Sequence, residues 1–538
     1  MNLSLINFER IVSRWGMLIV FLASILVFAN TLAMGFVYDD FTVILELPLI
    51  RDIKNIPLIF TTDVWLDAGR QTPYYRPLGY TSFAIDYSIW KDTPLGYHLT
   101  NTLLHGCVSV LVLQVAHKLS DSRLTAFWAA MFFALHPVHS DAVAWISGRG
   151  EILSCGFMLA AFILYLRSRE TTNINVIQYV AATFYLFSLM CKETAVTLPL
   201  LVLLYEIAVC RNYNLKSLLI RITPFALAIV IYLTLRFAFI DIFVWNNTPF
   251  SWRLWTSTTL VVAYFKSLVF PFDLKVFYDI SIQKSPYSTV VFLALAILAA
   301  ITVTLGYVYN RNRLLFFSLV WCGIVLLPVC GIVTLLNPAL IADRYLYIPS
   351  VGLSFAFGII INRSRLATIN IRQYQIIQVC GFITLIMLAL LTVIHNNNWR
   401  DQQTFIRSLI ADAPNNEFAH YNRGQIAQDA GRFDEAVKEF NKAITIHPKF
   451  AEAHYSLGVI AYQQGRLHDA EKSFLKTLEF EPKDIKAINN LGSLYGSTGR
   501  LSEAIKTFER GLAAIPGDIM IRTNLEIARK ELAKKEQK

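Results

Sequence analysis

Charge is what this chain has least of. Only 16% of its 538 residues are Asp, Glu, Lys or Arg, against 55% hydrophobic. A soluble globular protein of this length needs a more polar surface, so that class is excluded. Cysteine is sparse too: seven residues, at 107, 155, 191, 210, 322, 330 and 380, lie in or beside apolar runs. None has metal-site spacing, no disulfide framework is visible, and they read as small buried hydrophobes. Acids number 38 against 48 bases, but the net +10 is spread over short loops, which excludes a nucleic-acid footprint. No Walker loop, Rossmann glycine pattern or nucleophile elbow is present, so nucleotide-driven chemistry has no seat in the sequence.

Long apolar runs dominate instead. About eleven read as membrane spans, near 15–37, 97–117, 124–135, 151–167, 175–191, 194–210, 218–240, 287–309, 314–336, 346–361 and 374–395. The first is expected to be a retained helix, since no clear cleavage site precedes Asp39. Alternate connections are short and basic: Arg10 and Arg14, Lys118 and Arg123, Arg167 and Arg169, Arg211, Lys216 and Arg221, Arg311 and Arg313, and Arg363, Arg365 and Arg372. The positive-inside rule then places the N-terminus in the cytoplasm and the C-terminal region outside it, as in a multi-pass protein of the bacterial inner membrane. The run 252–270 would break this alternation as a full span and reads as re-entrant or interfacial.

Composition changes abruptly near Asn396. Gly424, Gly458 and Gly492 are 34 residues apart, as are Gly431, Gly465 and Gly499, Ala436, Ala470 and Ala504, Phe440, Phe474 and Phe508, and Pro448, Pro482 and Pro516. That period of small, aromatic and Pro positions is the tetratricopeptide signature. The expected organisation is a membrane module over 1–395 and an extracytoplasmic repeat domain over 396–538. The latter divides into a half-repeat 396–416, repeats 417–450, 451–484 and 485–518, and a capping helix 519–538. The fold class is all-α throughout.

With this topology the polar segments gather on the outer side. The densest is His136-Pro137-Val138-His139-Ser140-Asp141 through Gly148-Arg149-Gly150-Glu151. Ionisable groups at a membrane boundary usually face a water-filled cavity or a polar ligand, and the spacing of Val138, Ala142 and Trp145 predicts a short interfacial helix. Asp39 and Asp40 suit a base for a hydroxyl or a cation ligand, or simply mark the end of the first span. Arg76 is either a phosphate clamp or an interfacial anchor. His105 reads as an interhelical hydrogen bonder. His136 and His139 suit a metal if Asp141 or Glu151 joins them, or hydrogen bonding to sugar or phosphate. Lys192-Glu193 is a self-neutralising pair or offers Lys192 to a phosphate. Asp343-Arg344-Tyr345-Leu346-Tyr347 suits an anionic headgroup or a sugar ring stacked on aromatics.

Together these segments resemble the transmembrane and tetratricopeptide-repeat-containing O-mannosyltransferases. The residues that carry the resemblance are Asp39-Asp40, Tyr75-Arg76-Pro77-Leu78, His136 to Val143 with Gly148 to Glu151, Lys192-Glu193-Thr194, Asp343 to Pro349, and the repeats. It implies a GT-C glycosyltransferase fold, a polyprenyl-phosphate sugar donor, inverting transfer with Asp39 or Asp40 as base, and repeats on the side of the active site. The remaining expectations follow from that frame. Arg76, Arg149, Lys192 or Arg344 stabilises the leaving phosphate; His136, His139 and Glu151 orient sugar, acceptor or base; Asp141, Glu193, Asp343 and Tyr347 complete the donor site. The partners are the lipid-linked sugar, membrane lipid and a protein or peptide acceptor held by the repeats. The sequence assigns no definite cofactor beyond the lipid-linked donor as substrate, and a divalent metal is compatible. Two other classes compete: a non-catalytic membrane scaffold, and a ligase moving an oligosaccharide from a lipid diphosphate.

Overall fold

The computed structural model describes residues 3–64, 74–170, 174–240, 248–332, 340–363 and 371–536; Arg365 and the end of the 314–336 run lie outside them. All regular structure among these residues is helical. The chain divides into two compact units, Met1–Phe405 and Ile406–Lys538.

The longer helices of the first unit are α1 (Leu3–Val27), α2 (Pro77–Trp90), α3 (Pro94–Ser120), α4 (Arg123–Ala134), α5 (Arg149–Ser168), α6 (Ile174–Cys191), α7 (Leu198–Leu204), α8 (Leu215–Phe239), α9 (Phe250–Val269), α10 (Thr289–Arg311), α11 (Arg313–Leu326), α12 (Pro349–Arg363) and α13 (Ile371–Asn396). Six segments are long and apolar enough to cross a membrane: Phe8–Ala33, Pro94–Ser120, Ile146–Ser168, Leu215–Phe239, Thr289–Arg311 and Arg372–Trp399. Four further apolar helices are shorter. The unit reads as a multi-pass membrane protein.

Local sequence sets the boundaries. Pro77 and Pro94 stand in the first turns of α2 and α3, where a missing N–H costs nothing. Asp121 adopts a left-handed backbone after α3, and the Ser122 side chain then accepts from Thr125 N to start α4. Glycine lets α12 press on α4: a Cβ at Gly358 would come within 2.3 Å of Thr125 O.

Two expectations change. The run 194–210 is not one helix. It is a 3-10 turn Glu193–Thr197, then α7, then a π turn Tyr205–Val209. The π turn carries buried Glu206 to Tyr165, Arg169 and Asn212, which satisfy its carboxylate. The run 252–270 falls in α9, one unbroken helix of 20 residues, which removes the re-entrant alternative and leaves the interfacial one standing. Leu260, Tyr264 and Leu268 of α9 join a buried cluster with Val138 and Leu346. That apolar face is why the helix packs inward.

The cysteines also divide. Cys155, Cys191, Cys322 and Cys330 are buried, but Cys107 and Cys380 are exposed on α3 and α13. Both lie on segments long and apolar enough to cross a membrane.

The repeat helices follow α14 (Gln402–Asp412): α15 (Glu417–Asp429) with α16 (Phe433–Ile446), α17 (Ala451–Gln463) with α18 (Leu467–Phe480), α19 (Ile485–Ser497) with α20 (Leu501–Ala514), and a closing α21 (Ile519–Glu536). Both glycine columns have physical roles. A Cβ at Gly424, Gly458 or Gly492 would meet the ring of Phe440, Phe474 or Phe508 at 2.5, 2.7 and 2.4 Å, so the paired helices touch only because these residues are glycine. Gly431, Gly465 and Gly499 turn between the helices at φ of 72°, 72° and 77°, a region costly for other residues.

Candidate functional site

The chain leaving α1 turns sharply before Asp40. Tyr38 has φ of 53°, rare for an aromatic residue, and is 47% exposed. Its N–H donates to Gln402 Oε1 at 2.9 Å, which holds the turn. Asp39 is half-buried, while Asp40 is fully buried. Asp40 accepts from Val37 N at 3.1 Å, Ser147 N at 2.9 Å and Ser147 Oγ at 2.6 Å. It therefore ties the first loop to the stretch before α5. Burial pushes its carboxyl up to about 7; the Ser147 and Val37 hydrogen bonds pull it down, and neighbouring Asp39 adds to the rise.

The His136 to Glu151 stretch is not a single interfacial helix. It is a 3-10 turn Pro137–His139, a helical turn Ser140–Val143 and a second 3-10 turn Ile146–Gly148. Pro137 removes one backbone donor. The fold back is so tight that a Cβ at Gly148 would stand 2.6 Å from Asp141 O. His136, His139, Asp141, Arg149 and Glu151 are all buried, and most are committed to internal partners. His136 Nε2 meets Leu268 O at 3.1 Å on α9, and its Nδ1 accepts from Val138 N. Burial lowers its pKa to about 3, so the ring is neutral. His139 Nε2 meets Ser350 Oγ at 2.8 Å. Its ring packs on His105, Phe133 and Tyr347. Tyr347 OH in turn bonds His105 Nδ1 at 2.8 Å, the interhelical role expected for His105.

Arg149 is locked more completely. Its guanidinium donates to Asn101 Oδ1 (2.6 Å), Asp86 Oδ2 (2.6 Å), Tyr97 O (3.1 Å) and Ser82 O (3.2 Å), joining α2, α3 and α5. A side chain so engaged and wholly buried holds the module together rather than meeting a phosphate. Truncating it as Arg149→Ala strands Asp86 as a buried lone charge. The expected destabilisation is about 3–5 kcal/mol, read as a lowered thermal midpoint in detergent. An unchanged midpoint would show that the network bears no load.

Three other cations are each paired with a single carboxylate, Arg76 and Arg344 partly exposed and Lys192 buried. Arg76 forms a two-pronged pair with Glu193, Nε to Oε2 at 2.9 Å, and lies 4.2 Å over the Tyr74 ring. Lys192 pairs with Glu151. Arg344 reaches Asp141 Oδ2 with its backbone N at 3.0 Å and with Nη1 at 3.4 Å. The three cations share one neighbourhood, for all act on Glu151. Tyr345 joins two of them, 5.0 Å from Lys192 Nζ and 5.1 Å from the Arg344 guanidinium. Burial disfavours charge on Glu193, but Arg76 overrides it and holds the carboxyl at about 2. Burial works likewise against Arg344, and Asp141 raises its pKa regardless. Asp343 accepts from Tyr278 OH at 2.7 Å.

Aromatic residues that the charge pattern does not reveal complete the arrangement. Trp145, counted in the sequence as one apolar position of a helix, lies under Arg344 at 5.1 Å and against Tyr38 at 5.9 Å. Trp399 stacks on its other side at 5.5 Å. Trp145 thus bridges the Asp39-Asp40 turn and the cations. The period-34 match of Trp399 with Phe433 disguised this packing role. Among the described residues no three His, Cys, Asp or Glu side chains converge as metal ligands. His136 spends both ring nitrogens on Leu268 and Val138, and His139 spends Nε2 on Ser350.

Comparison with known proteins agrees with both units. The tetratricopeptide repeat family matches residues 421–485 and again 485–518. Mouse protein O-mannosyl-transferase TMTC3 is 26% identical over 78% of this chain and 50% of its own length. Human protein O-mannosyl-transferase TMTC1 is 27% identical over 80% of this chain and 55% of its own length. The Drosophila melanogaster protein O-mannosyl-transferase Tmtc1 is 38% identical over a shorter stretch, 32% of this chain and 20% of its own. The chain spans about half the length of the first two relatives. Over most of its length the chain is similar to these protein O-mannosyl-transferases, and it carries tetratricopeptide repeats.

Proposed function

We propose that this protein is an integral-membrane glycosyltransferase. It transfers a sugar, mannose or a close relative, from a polyprenyl-phosphate donor to a hydroxyl of a protein acceptor. The observation that carries the reading is the meeting of an acid-bearing turn and three cations around one indole: Tyr38, next to the half-buried Asp39, lies 5.9 Å from the Trp145 ring and Arg344 lies 5.1 Å from it, while Lys192 and Arg76 share the neighbourhood of Arg344 at Glu151. In the proposed step the acceptor oxygen attacks the anomeric carbon, and the carbon–oxygen bond to the lipid phosphate breaks. Asp39 takes the hydroxyl proton, the phosphate leaves with the bonding electrons, and the anomeric configuration inverts. Arg344, Lys192 and Arg76 face the growing phosphate charge. Tyr38 and Trp145 offer rings for the sugar to stack on. Asp40, Arg149, His136, His139 and Tyr347 position these groups. The basic turns argue for an extracytoplasmic site and an extracytoplasmic repeat array. The test is purified protein in nanodiscs, given a radiolabelled polyprenyl-phosphate mannose and a peptide rich in Ser and Thr. Sugar recovered on the peptide supports the reading. Transfer only from a lipid diphosphate oligosaccharide, or none with partners still assembling, would replace it by the ligase or the scaffold.

The pH profile provides a second check. Asp40 is half-ionised near pH 7. Protonating it removes the carboxylate that orders Val37 and Ser147, so kcat/KM is expected to fall as pH drops through about 7. Stability moves the other way. A carboxyl raised from 3.8 to about 7 by folding stabilises the folded state fully below about 4, and that contribution is lost as pH rises through 7. Falling activity without falling thermal midpoint in mild acid identifies the titration as local.

The repeats are assigned to acceptor recruitment. Removing residues after Pro414 is expected to weaken transfer to folded protein acceptors by about 10²-fold or more, the scale of a lost tether, and to leave a short soluble peptide nearly unaffected. Equal losses for both acceptors would make the array a structural part of the catalytic module.

A further inference from the structure

The second helix of each repeat carries a cation at two fixed places. Lys438, Lys472 and Lys506 are spaced by 34, as are Lys442, Lys476 and Arg510. The two positions are four apart, so on α16, α18 and α20 they lie on one helix face, one turn above the other. All six are exposed.

Their partners differ in an informative way. Arg432, Arg466 and Arg500, at the starts of these helices, are neutralised three residues on by Glu435, Asp469 and Glu503. Lys442 and Lys476 lie beside Glu439 and Glu479 of their own helices. Lys438, Lys472 and Lys506 form no ion pair among the described residues. Glu435, Asp469 and Glu503 stand one turn before these lysines but are paired with the arginines, so each lysine keeps a charge of its own. The structure also forms a cavity beside this row. Leu457 and Ala461 of α17 and Val437 of α16 give it an apolar lining, Asn441 and His454 lie at its side, and its wall carries Lys472, Ser473 and Lys476 of α18 with the paired Arg466 and Asp469.

We propose that this face of the second helices docks an acidic polypeptide segment, with carboxylates on the Lys438, Lys472 and Lys506 row and an apolar side chain in the cavity. Charge complementarity selects the acidic partner. The apolar lining selects a polypeptide over a lipid headgroup surface, which has no side chain to insert. The surface is separate from the transfer chemistry, so binding is measured without donor and stands or falls independently of the proposed reaction.

The experiment uses full-length protein in neutral-lipid nanodiscs and a short fluorescein-labelled peptide of glutamate and leucine, followed by anisotropy. The triple variant Lys438→Glu, Lys472→Glu, Lys506→Glu is expected to bind about tenfold more weakly or worse, given the modest worth of each exposed charge. Wild-type binding is expected to weaken with added salt. Leu457→Ala is expected to weaken binding of this peptide while sparing that of an all-glutamate peptide. Because the lysines are exposed, helical content and thermal midpoint should be retained; if the reversal disturbs them, the triple Lys→Gln variant carries the same comparison. Undiminished peptide binding by a folded triple variant overturns the proposal. So does lysine-dependent capture of phosphatidylglycerol vesicles in place of the peptide, which would make the row a lipid contact.

Discussion

Asp39→Asn will lower transfer by about 10²–10⁴-fold, the range a positioned general base contributes. The amide keeps the shape of the side chain and removes its ability to take a proton. Asp39 is half-buried, so exchange of oxygen for NH₂ disturbs little packing. Asp40→Asn is expected to behave differently. Asp40 faces three donors, two from Ser147 and one from Val37. An amide NH₂ turned toward any of them sets donor against donor in a buried place, which costs about 1–3 kcal/mol. Asp40→Asn should therefore lose stability together with activity, whereas Asp39→Asn loses activity at an unchanged thermal midpoint. Acceptor affinity separates the roles further: a lost base lowers kcat with KM nearly kept, while a loosened turn moves both. Near-normal kcat in Asp39→Asn would remove Asp39 from the chemistry and leave the acid of the first loop as a structural tie.

The repeat unit was legible almost residue by residue. Gly424, Gly458 and Gly492 lie against Phe440, Phe474 and Phe508, and the positive φ of Gly431, Gly465 and Gly499 follows from the same period. Repetition makes each position its own control, so pattern alone suffices. Most apolar runs of the first unit also became helices. The run 194–210 did not stay whole, because hydropathy cannot register that buried Glu206 needs Tyr165, Arg169 and Asn212 and bends the backbone to reach them. The ionisable stretch from His136 to Glu151 misled in a related way. Its density suggested a polar cavity, yet Arg149 spends its donors on Asp86, Asn101, Ser82 and Tyr97. Nothing local to position 149 announces partners 48 to 67 residues away. Sequence density therefore marks where ionisable groups are needed, whereas only geometry divides those that bind one another from those left for a substrate. Trp145 and Trp399 were invisible as site residues for the opposite reason: each satisfied a plausible apolar pattern on its own, and their stacking is a long-range fact.

Arg344→Lys keeps the charge and tests what the guanidinium adds. Arg344 is fixed from two directions. Its backbone N and Nη1 both reach Asp141 Oδ2, and its planar head lies 5.1 Å from the rings of both Trp145 and Tyr345. Asp141 takes Nη1 of the fork, and Tyr38 acts on the same charge. A phosphate there receives a fork in place before the reaction begins. Lysine offers one flexible ammonium that cannot span both rings and still hold Asp141. The expected loss in kcat/KM is about 10²–10³-fold, the scale of removing one preorganised donor from a developing charge. It should fall mainly on kcat, because in the proposed reaction the leaving phosphate gains charge in the transition state. Folding should survive, since Asp141 keeps the Arg344 backbone donor and a positive neighbour. Donor titration at fixed peptide decides the matter. Unchanged turnover and unchanged donor KM would mean that Arg344 serves the Asp141 loop alone, and the phosphate contact would then rest with Lys192 and Arg76.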